Sequence, residues 1–193
     1  MKINSATAPH VATGLLRRAR RRRAQLTLAI AVLLSSAAVG SVALPSPAAA
    51  AISYTTHVTP GNTAFLQLDV SGASVQPGAP VIDWYANGGS NQVWSFDSVG
   101  SSGNTYQVVN QNSGMCLTTD GVPGDQVYQW PCTGGANQQW LTSLNPYGAP
   151  GYYTIQSVSS GFYLDVNSDN PFAGTPIDTW YYNGNPNQKF AAD

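Results

Sequence analysis

Short runs of β-branched and aromatic residues alternate with clusters of glycine, proline, asparagine and serine through residues 51–193. Clear examples of such runs are residues 80–85, 106–109 and 152–155. Runs of this kind predict β-strands, and the clusters between them predict turns. No run keeps a period of 3.6 residues. Strong helix formers are scarce in residues 51–193, which have no glutamate and a single lysine. The pattern therefore predicts an all-β domain without significant helix.

Three copies of one motif divide this region into repeats of about 46–50 residues, at about 52–98, 99–144 and 145–193. Each repeat ends in Asn-Gln-x-aromatic, at residues 91–94, 137–140 and 187–190, and a tryptophan stands seven residues before each asparagine. A unit of this size cannot bury its apolar face alone, so the three repeats are expected to share one core. The aromatic residues that end the motif are expected in that core: Trp94, Trp140 and Phe190.

The first 50 residues are typical of a secretory signal peptide. Seven of the eight Lys and Arg residues fall within the first 23 positions, and an apolar stretch at residues 26–44 follows them, ahead of a run of proline, serine and alanine. This order predicts export, with cleavage near Ala50 and one extracellular domain at residues 51–193. An uncleaved membrane anchor is the alternative, because the apolar stretch is almost long enough to span a bilayer.

Both cysteines of the chain lie in the second repeat, 16 residues apart. Cys116 precedes the leucine that recurs in each repeat, and Cys132 follows the second of the recurring tryptophans. In an exported protein, two cysteines placed in this way are expected to form a disulfide.

The charges of residues 51–193 exclude several classes of partner and chemistry. This region has all nine aspartates but one cation, Lys189, which argues against nucleic acid or anionic lipid as a ligand. No metal or other cofactor is expected, because histidine, cysteine and aspartate do not cluster in the sequence. Catalysis is not expected either, because glutamate is absent and His57 is the only histidine in the region. We expect a monomer with no membrane contact after signal cleavage.

These features resemble the ricin-type lectin domain, also called the family 13 carbohydrate-binding module. The resemblance covers residues 54–190 and rests on the three Asn-Gln-x-aromatic motifs, the preceding Gly-Gly turns and the Leu-Asp segments upstream. It implies a β-trefoil fold and a non-catalytic carbohydrate-binding function, and the style of the leader suggests a bacterial secreted protein.

In that family an aspartate accepts hydrogen bonds from the sugar, an aromatic ring stacks on it, and the asparagine of the motif completes the grip. Carried over to this chain, the resemblance implies a first site formed by Asp69, Trp84, Asn87, Asn91 and Gln92. In this site Gln92 supports the other residues. It implies a site in the third repeat formed by Asp165, Trp180, Asn183, Asn187 and Gln188. Gln188 has the same supporting role there as Gln92 in the first site.

The second repeat departs from the family pattern. Thr118 stands where the aspartate is expected, so we predict a weak or inactive site from Trp130, Asn137 and Gln138. Two alternatives to the lectin interpretation remain. One is a protein-binding trefoil, such as a protease inhibitor acting through the irregular loop at residues 144–151, and the other is a trefoil that has lost sugar binding.

Overall fold

Strands and short 3₁₀ turns make up all the regular structure in the computed structural model, which describes residues 53–100, 103–143 and 151–193. The fold of these residues is therefore all-β, which confirms the prediction from the residue pattern. Within the described ranges, no helix is long and apolar enough to cross a membrane. The predicted signal peptide at residues 1–50 and most of the loop at 144–151 lie outside the described residues.

The strands follow the three repeats of the sequence. The first repeat contains β1 (Ser53–Thr56), β2 (Val58–Pro60), β3 (Leu66–Val70), β4 (Val81–Tyr85) and β5 (Trp94–Ser98). The second repeat contains β6 (Thr105–Asn110), β7 (Cys116–Thr118), β8 (Tyr128–Trp130) and β9 (Gln139–Thr142). The third repeat contains β10 (Ile155–Ser157), β11 (Tyr163–Val166), β12 (Ile177–Trp180) and β13 (Phe190–Ala192).

One predicted strand is shorter than its residue pattern indicates. In the run at 152–155 only Ile155 lies in a strand, because Tyr153 forms an isolated bridge with Phe190 and continues into no longer ladder.

Seven strand segments form a closed barrel of six strands, in which β1 and β2 are consecutive parts of one strand. Antiparallel ladders join β1 to β5, β5 to β6, β6 to β9 and β9 to β10. The bridge between Tyr153 and Phe190, with N···O distances of 2.9 and 2.8 Å, continues the order to β13, which pairs with β2. Because β2 follows β1 directly along the chain, the order of strands returns to its start and leaves no long unpaired edge.

Three hairpins, one from each repeat, cover one end of this barrel. They are β3–β4, β7–β8 and β11–β12. The hairpins are linked in a ring by backbone hydrogen bonds, such as Val81 N to Val127 O at 3.0 Å and Val127 N to Ile177 O at 2.9 Å. A six-stranded barrel capped by three equivalent hairpins is the β-trefoil architecture.

The barrel interior is filled by the aromatic residues of the repeats. Trp94, Trp140 and Phe190 have no exposed surface. Trp94 Nε1 donates a hydrogen bond to Leu68 O and Trp140 Nε1 donates one to Leu117 O, each at 3.0 Å. The indole of the motif therefore fixes the start of a hairpin to the barrel in the first two repeats, and Phe190 fills the same place without a donor.

The predicted disulfide between Cys116 and Cys132 is present and joins the two ends of the β7–β8 hairpin. In the third repeat the corresponding residues are Tyr163 and Tyr182, whose ring centroids lie 4.9 Å apart. A ring contact therefore takes the place of the covalent link at that hairpin.

Candidate functional site

The hairpins place an aspartate and a tryptophan of each pocket on neighbouring strands. In the first repeat Asp69 on β3 pairs with Ile82 on β4, and Trp84 lies at the exposed end of β4. In the third repeat Asp165 on β11 pairs with Asp178 on β12, two residues before Trp180. Side chains two positions apart on a strand project to the same face, so each pairing brings the aspartate beside its tryptophan.

The first pocket is a shallow cavity of about 340 Å³. Its lining contains four of the five residues predicted for this site, and the complete set is Asp69, Ser71, Gly72, Ala73, Ile82, Trp84, Asn87 and Asn91. The aspartate is only 3% exposed, whereas the indole of Trp84 is 41% exposed. A buried carboxylate beside an open indole face is the arrangement expected of a site that grips a small polar ring from two sides.

Two amides of the Asn-Gln motif hold the carboxylate of the first pocket. Asn91 Nδ2 and Gln92 Nε2 each donate to Asp69 Oδ2 at 2.8 Å, and no described residue donates to Asp69 Oδ1. Gln92 also donates to Tyr85 O and accepts from Asn87 N, both at 2.9 Å. One oxygen of Asp69 is thus committed to the protein, and the other remains for a ligand.

Gln92 is fully buried and lies behind the pocket without lining it. Gln188 is equally buried, accepts from Asn183 N at 2.8 Å and donates to Tyr181 O at 2.9 Å. These two glutamines orient the turn and the carboxylate, so the structure gives them the supporting role rather than a position for direct ligand contact.

The third-repeat pocket is larger and more polar, with a volume of about 400 Å³. It brings together four of the five predicted residues with several others: Asp165, Asn167, Ser168, Asp169, Asp178, Trp180, Asn183, Asn185 and Asn187. Asn187 Nδ2 donates to Asp165 Oδ2 at 2.9 Å, and Asn183 Nδ2 reaches the same oxygen at 3.4 Å. Trp180 is 43% exposed, close to the exposure of Trp84.

Burial dominates the electrostatics of both pockets. It raises the pKa of Asp165 to about 7, and the nearby carboxylates of Asp178 and Asp169 add to the effect, while hydrogen bonds from Gln188 and Asn187 oppose it. Burial also raises the pKa of Asp69, against the hydrogen bonds from its two amide partners. The charge of the third-repeat pocket therefore changes near neutral pH.

Left-handed backbone turns form one wall of each of these two pockets. Gly72 and Ala73 have φ of 65° and 49°, and Ser168 and Asp169 have φ of 57° and 52°. Non-glycine residues in this conformation carry a strain of roughly 1 kcal/mol each, and such strain concentrates at functional sites. Among the described residues, all three non-glycine residues with positive φ lie in these two walls.

Each exposed tryptophan rests on a glycine that another repeat supplies. A Cβ atom on Gly174 would lie 3.4 Å from the ring of Trp84, and a Cβ atom on Gly124 would lie 3.2 Å from the ring of Trp180. Both glycines have positive φ, so a side chain at either position would be strained, and at Gly124 it would also crowd the ring of Trp180. The third repeat thus completes the first pocket, and the second repeat completes the third pocket.

The second repeat does not assemble an equivalent pocket. Trp130 is 44% exposed, but the cavity beside it contains neither Asn137 nor a carboxylate, being lined by Gly78, Pro80, Gln126, Val127, Tyr128 and Trp130. The hydroxyl of Thr118 is buried and accepts from Gln138 Nε2 at 3.1 Å, so this residue faces the protein. Asp120 accepts from the hydroxyl of Tyr128 at 2.6 Å and does not replace the missing aspartate.

Ile82 and Asp178 are pocket residues that sequence reasoning missed. Both follow the pocket aspartate by 13 residues and stand directly across the hairpin from it. The equal spacing was a usable signal, although only the strand register shows which face of the hairpin it concerns.

In chemical terms the two complete pockets offer carboxylate acceptors, amide groups and an indole face. Within the described residues, no group of three or more His, Cys, Asp or Glu side chains is arranged to hold a metal ion.

A family model described as ricin-type beta-trefoil lectin domain-like matches residues 54–125, 90–149 and 136–193. The chain belongs to this family. The three overlapping matches follow the three repeats, and membership in a lectin family supports carbohydrate binding by this ricin-type domain. No curated protein sequence matches the chain significantly.

Solved structures of ricin-type and related trefoils resemble the chain. ThreeFoil, a designed threefold-symmetric protein, is 30% identical with a TM-score of 0.64, and the match covers 72% of this chain and 96% of ThreeFoil. The exo-β-1,3-galactanase 1,3Gal43A from Clostridium thermocellum is 28% identical with a TM-score of 0.65, over 77% of this chain but 30% of the galactanase. The C-half of the earthworm R-type lectin, in complex with GalNAc, shares the fold at 21% identity with a TM-score of 0.55, over 72% and 97% of the two chains.

Proposed function

We propose that residues 51–193 form a secreted, non-catalytic lectin domain that binds sugars in two shallow pockets, one in the first repeat and one in the third. The observation that carries this proposal is the recurrence of one geometry in both pockets: a buried aspartate held by the Asn-Gln motif beside an exposed indole. Membership in the ricin-type family supports the same conclusion.

The chemistry of a pyranose fits this arrangement. Its hydroxyl groups donate to a carboxylate through charge-assisted hydrogen bonds, each contributing about 1.5–3 kcal/mol before entropy is counted. Its C–H face packs on the indole, and the amides of Asn91 and Asn187 offer further donors and acceptors. Such an open site is expected to bind a single sugar with a dissociation constant of about 10⁻³ to 10⁻⁴ M.

Two pockets on one body favour a ligand that repeats. A polysaccharide or a dense glycan surface that reaches both pockets gains avidity, by a factor on the order of 10² or more over a single sugar. The titles of two relatives suggest first ligands to test, because one acts on β-1,3-galactan and another is in complex with GalNAc.

A non-catalytic role is supported by the composition of the pockets. The sequence has no glutamate, and His57, the one histidine of residues 51–193, lines neither pocket. The galactanase is matched over only 30% of its length, so the resemblance to it carries no catalytic site to this chain.

The test begins with expression of the full chain in a secreting host. N-terminal sequencing of protein from the medium is expected to show cleavage near Ala50. That protein is then titrated by calorimetry with methyl β-D-galactopyranoside, GalNAc, β-1,3-galactan, xylan, arabinan and mannan. Folded protein that binds none of these refutes the proposal.

Two variants assign the sites. Asp69→Ala and Asp165→Ala are each expected to remove one of two binding sites while the fold survives, as circular dichroism checks. Asp97→Ala is the matched control, because Asp97 is a partly exposed carboxylate on β5 outside both pockets. If both pocket variants bind like the control, the assignment of the pockets is wrong.

A further inference from the structure

The residue across the hairpin from the pocket aspartate differs sharply between the two complete pockets. It is Ile82 opposite Asp69 in the first repeat and Asp178 opposite Asp165 in the third. Both residues line their cavities, so the same place in the two pockets holds an aliphatic side chain in one and a carboxylate in the other.

Given the proposed sugar-binding function, on which this inference rests, we infer that Asp178 makes the third-repeat pocket selective for a pyranose with a vicinal pair of hydroxyl groups. One hydroxyl donates to Asp165 and its neighbour donates to Asp178. The first-repeat pocket requires only the hydroxyl that donates to Asp69, because Ile82 meets the adjacent ring position with methyl groups. The two pockets of one domain therefore take different sets of sugars.

The hydrogen bonding of Asp178 supports this assignment. The residue is only 2% exposed, and Oδ2 accepts from Asn167 Nδ2 at 2.7 Å. Oδ1 is buried and has no hydrogen-bond partner among the described residues. Buried polar atoms without partners are rare in folded proteins, and one that lines a cavity is matched by a donor from the ligand.

The unpartnered oxygen of Asp178 differs from the other buried carboxylate oxygen that lacks a partner. Asp83 Oδ2 also has none, but Asp83 lines neither complete pocket and its Oδ1 accepts the backbone N–H of Thr175 at 2.9 Å. Of these two residues, Asp178 alone lines one of the complete pockets.

The spacing of the two carboxylates suits a diol. Asp165 and Asp178 are directly opposed on antiparallel strands, so their Cα atoms lie about 4.5–5.5 Å apart and their side chains share one face. When ionised, both carboxylates act only as acceptors, and a third, Asp169, lines the same cavity. A ligand that brings two adjacent donors satisfies both opposed groups, whereas a ligand with one donor leaves a charge unpaired.

The first pocket shows the opposite preference. Ile82 is half-buried and lies near Gly72 and Ala73, which have little or no side chain. The side chain of Ile82 has no hydrogen-bond acceptor, so removal of a hydroxyl from the ring position that faces it leaves no group of this residue unpaired.

The experiment isolates each pocket in the protein purified from the medium after expression of the full chain. Asp69→Ala leaves the third-repeat pocket, and Asp165→Ala leaves the first-repeat pocket. Each protein is titrated by calorimetry with methyl β-D-galactopyranoside and with each of its monodeoxy derivatives, or with the corresponding series of whichever panel glycoside binds best. In the third-repeat pocket, we expect removal of either of two adjacent hydroxyl groups of the sugar to lower the affinity on the order of tenfold. In the first-repeat pocket, we expect only one deoxy derivative to bind that much more weakly.

Exchange of the two residues tests their role directly. In the Asp69→Ala background, Asp178→Ile is expected to abolish the loss of affinity at the ring position that faces Asp178. The loss at the position that faces Asp165 is expected to remain. Ile82→Asp in the Asp165→Ala background is expected to create a second one, and it keeps the inference testable if Asp178→Ile fails to fold, because Ile82 is only half-buried.

The outcomes separate the two proposals. Identical deoxy profiles in the two isolated pockets, or a profile that neither exchange alters, overturn the selectivity of Asp178 while sugar binding stands. Absence of binding to every sugar in both folded backgrounds overturns the proposed function and this inference together.

Discussion

Replacing Trp94 with alanine is expected to unfold much of the domain, whereas the same change at Trp84 is expected to remove a sugar site and leave the fold intact. Both tryptophans belong to the first repeat and lie only ten residues apart. The contrast therefore separates the core aromatic of the repeated motif from the upstream aromatic of the pocket.

The magnitude for Trp94 follows from its complete burial. Truncation of a buried Trp to Ala costs about 3–5 kcal/mol, and the lost hydrogen bond leaves Leu68 O without its indole donor, for about 1 kcal/mol more. The total of about 4–6 kcal/mol is comparable with the whole stability of many domains of this size, about 5–15 kcal/mol.

The magnitude for Trp84 is smaller because its indole is 41% exposed and makes no hydrogen bond in the described structure. Removal of its partly buried surface costs about 2 kcal/mol at 25 cal/mol per Å², without a closed cavity left behind. The two variants are thus expected to differ by at least about 2 kcal/mol, or a factor of about 30 in the unfolding equilibrium.

Urea unfolding followed by far-UV circular dichroism measures the difference without relying on the fluorescence of the residue that is replaced. Calorimetry then counts the remaining sugar sites of the Trp84→Ala protein. Trp140→Ala is a matched control, because its indole makes the equivalent bond to Leu117 O at 3.0 Å. Equal destabilisation by Trp84→Ala and Trp94→Ala, or two intact sugar sites in Trp84→Ala, refutes the reasoning.

Three further predictions concern pH, the disulfide and the glycine wall. Because the pKa of Asp165 is raised to about 7, sugar affinity of the third-repeat pocket is expected to fall about tenfold between pH 8 and pH 6 in calorimetry, and a flat profile contradicts the assigned role. The free energy of unfolding is expected to increase as the pH falls from 8, because the Asp165 carboxyl keeps its proton to a higher pH in the folded state than in the unfolded state. Asp165→Asn is therefore expected to raise the melting temperature at pH 8, where the buried carboxylate is charged, but not at pH 4. Reduction of the disulfide in the second repeat is expected to lower stability by about 3 kcal/mol in denaturant unfolding while both sugar sites persist. Gly124→Ala is expected to weaken the third-repeat pocket through the Trp180 ring, which lies 3.2 Å from the added Cβ, whereas Gly114→Ala, also at positive φ but in open space, is expected to lower stability only.

The fold was accessible from the sequence because the repeats carry redundant signals. The runs at 80–85 and 106–109 became β4 and β6, and the all-β class follows from them together with the absence of any helical period. The end of the run at 152–155 was less accessible. Whether Tyr153 continues a strand depends on Phe190, which lies 37 residues away and in a different strand pair.

The pockets were accessible only in part, for a physical reason. The spacing of Asp69 and Trp84 appears again in the third repeat, which made that pair visible. Asp178 was not visible, because its importance comes from standing opposite Asp165 across a hairpin, a relation set by strand register. The contact of Gly174 with Trp84 joins residues 90 positions apart, and no local pattern encodes it.

Because of these glycines, a repeat can contribute to the pocket of another repeat even when its own pocket is incomplete. The second repeat has Thr118 in place of an aspartate, yet its Gly124 still supports the ring of Trp180. Substitutions that inactivate the second pocket therefore leave its neighbour unharmed, provided that the glycine turn is kept. A single repeat cut out of this chain would lack a wall that only another copy supplies, so each of the two complete pockets is a property of the ring of repeats and not of the individual unit.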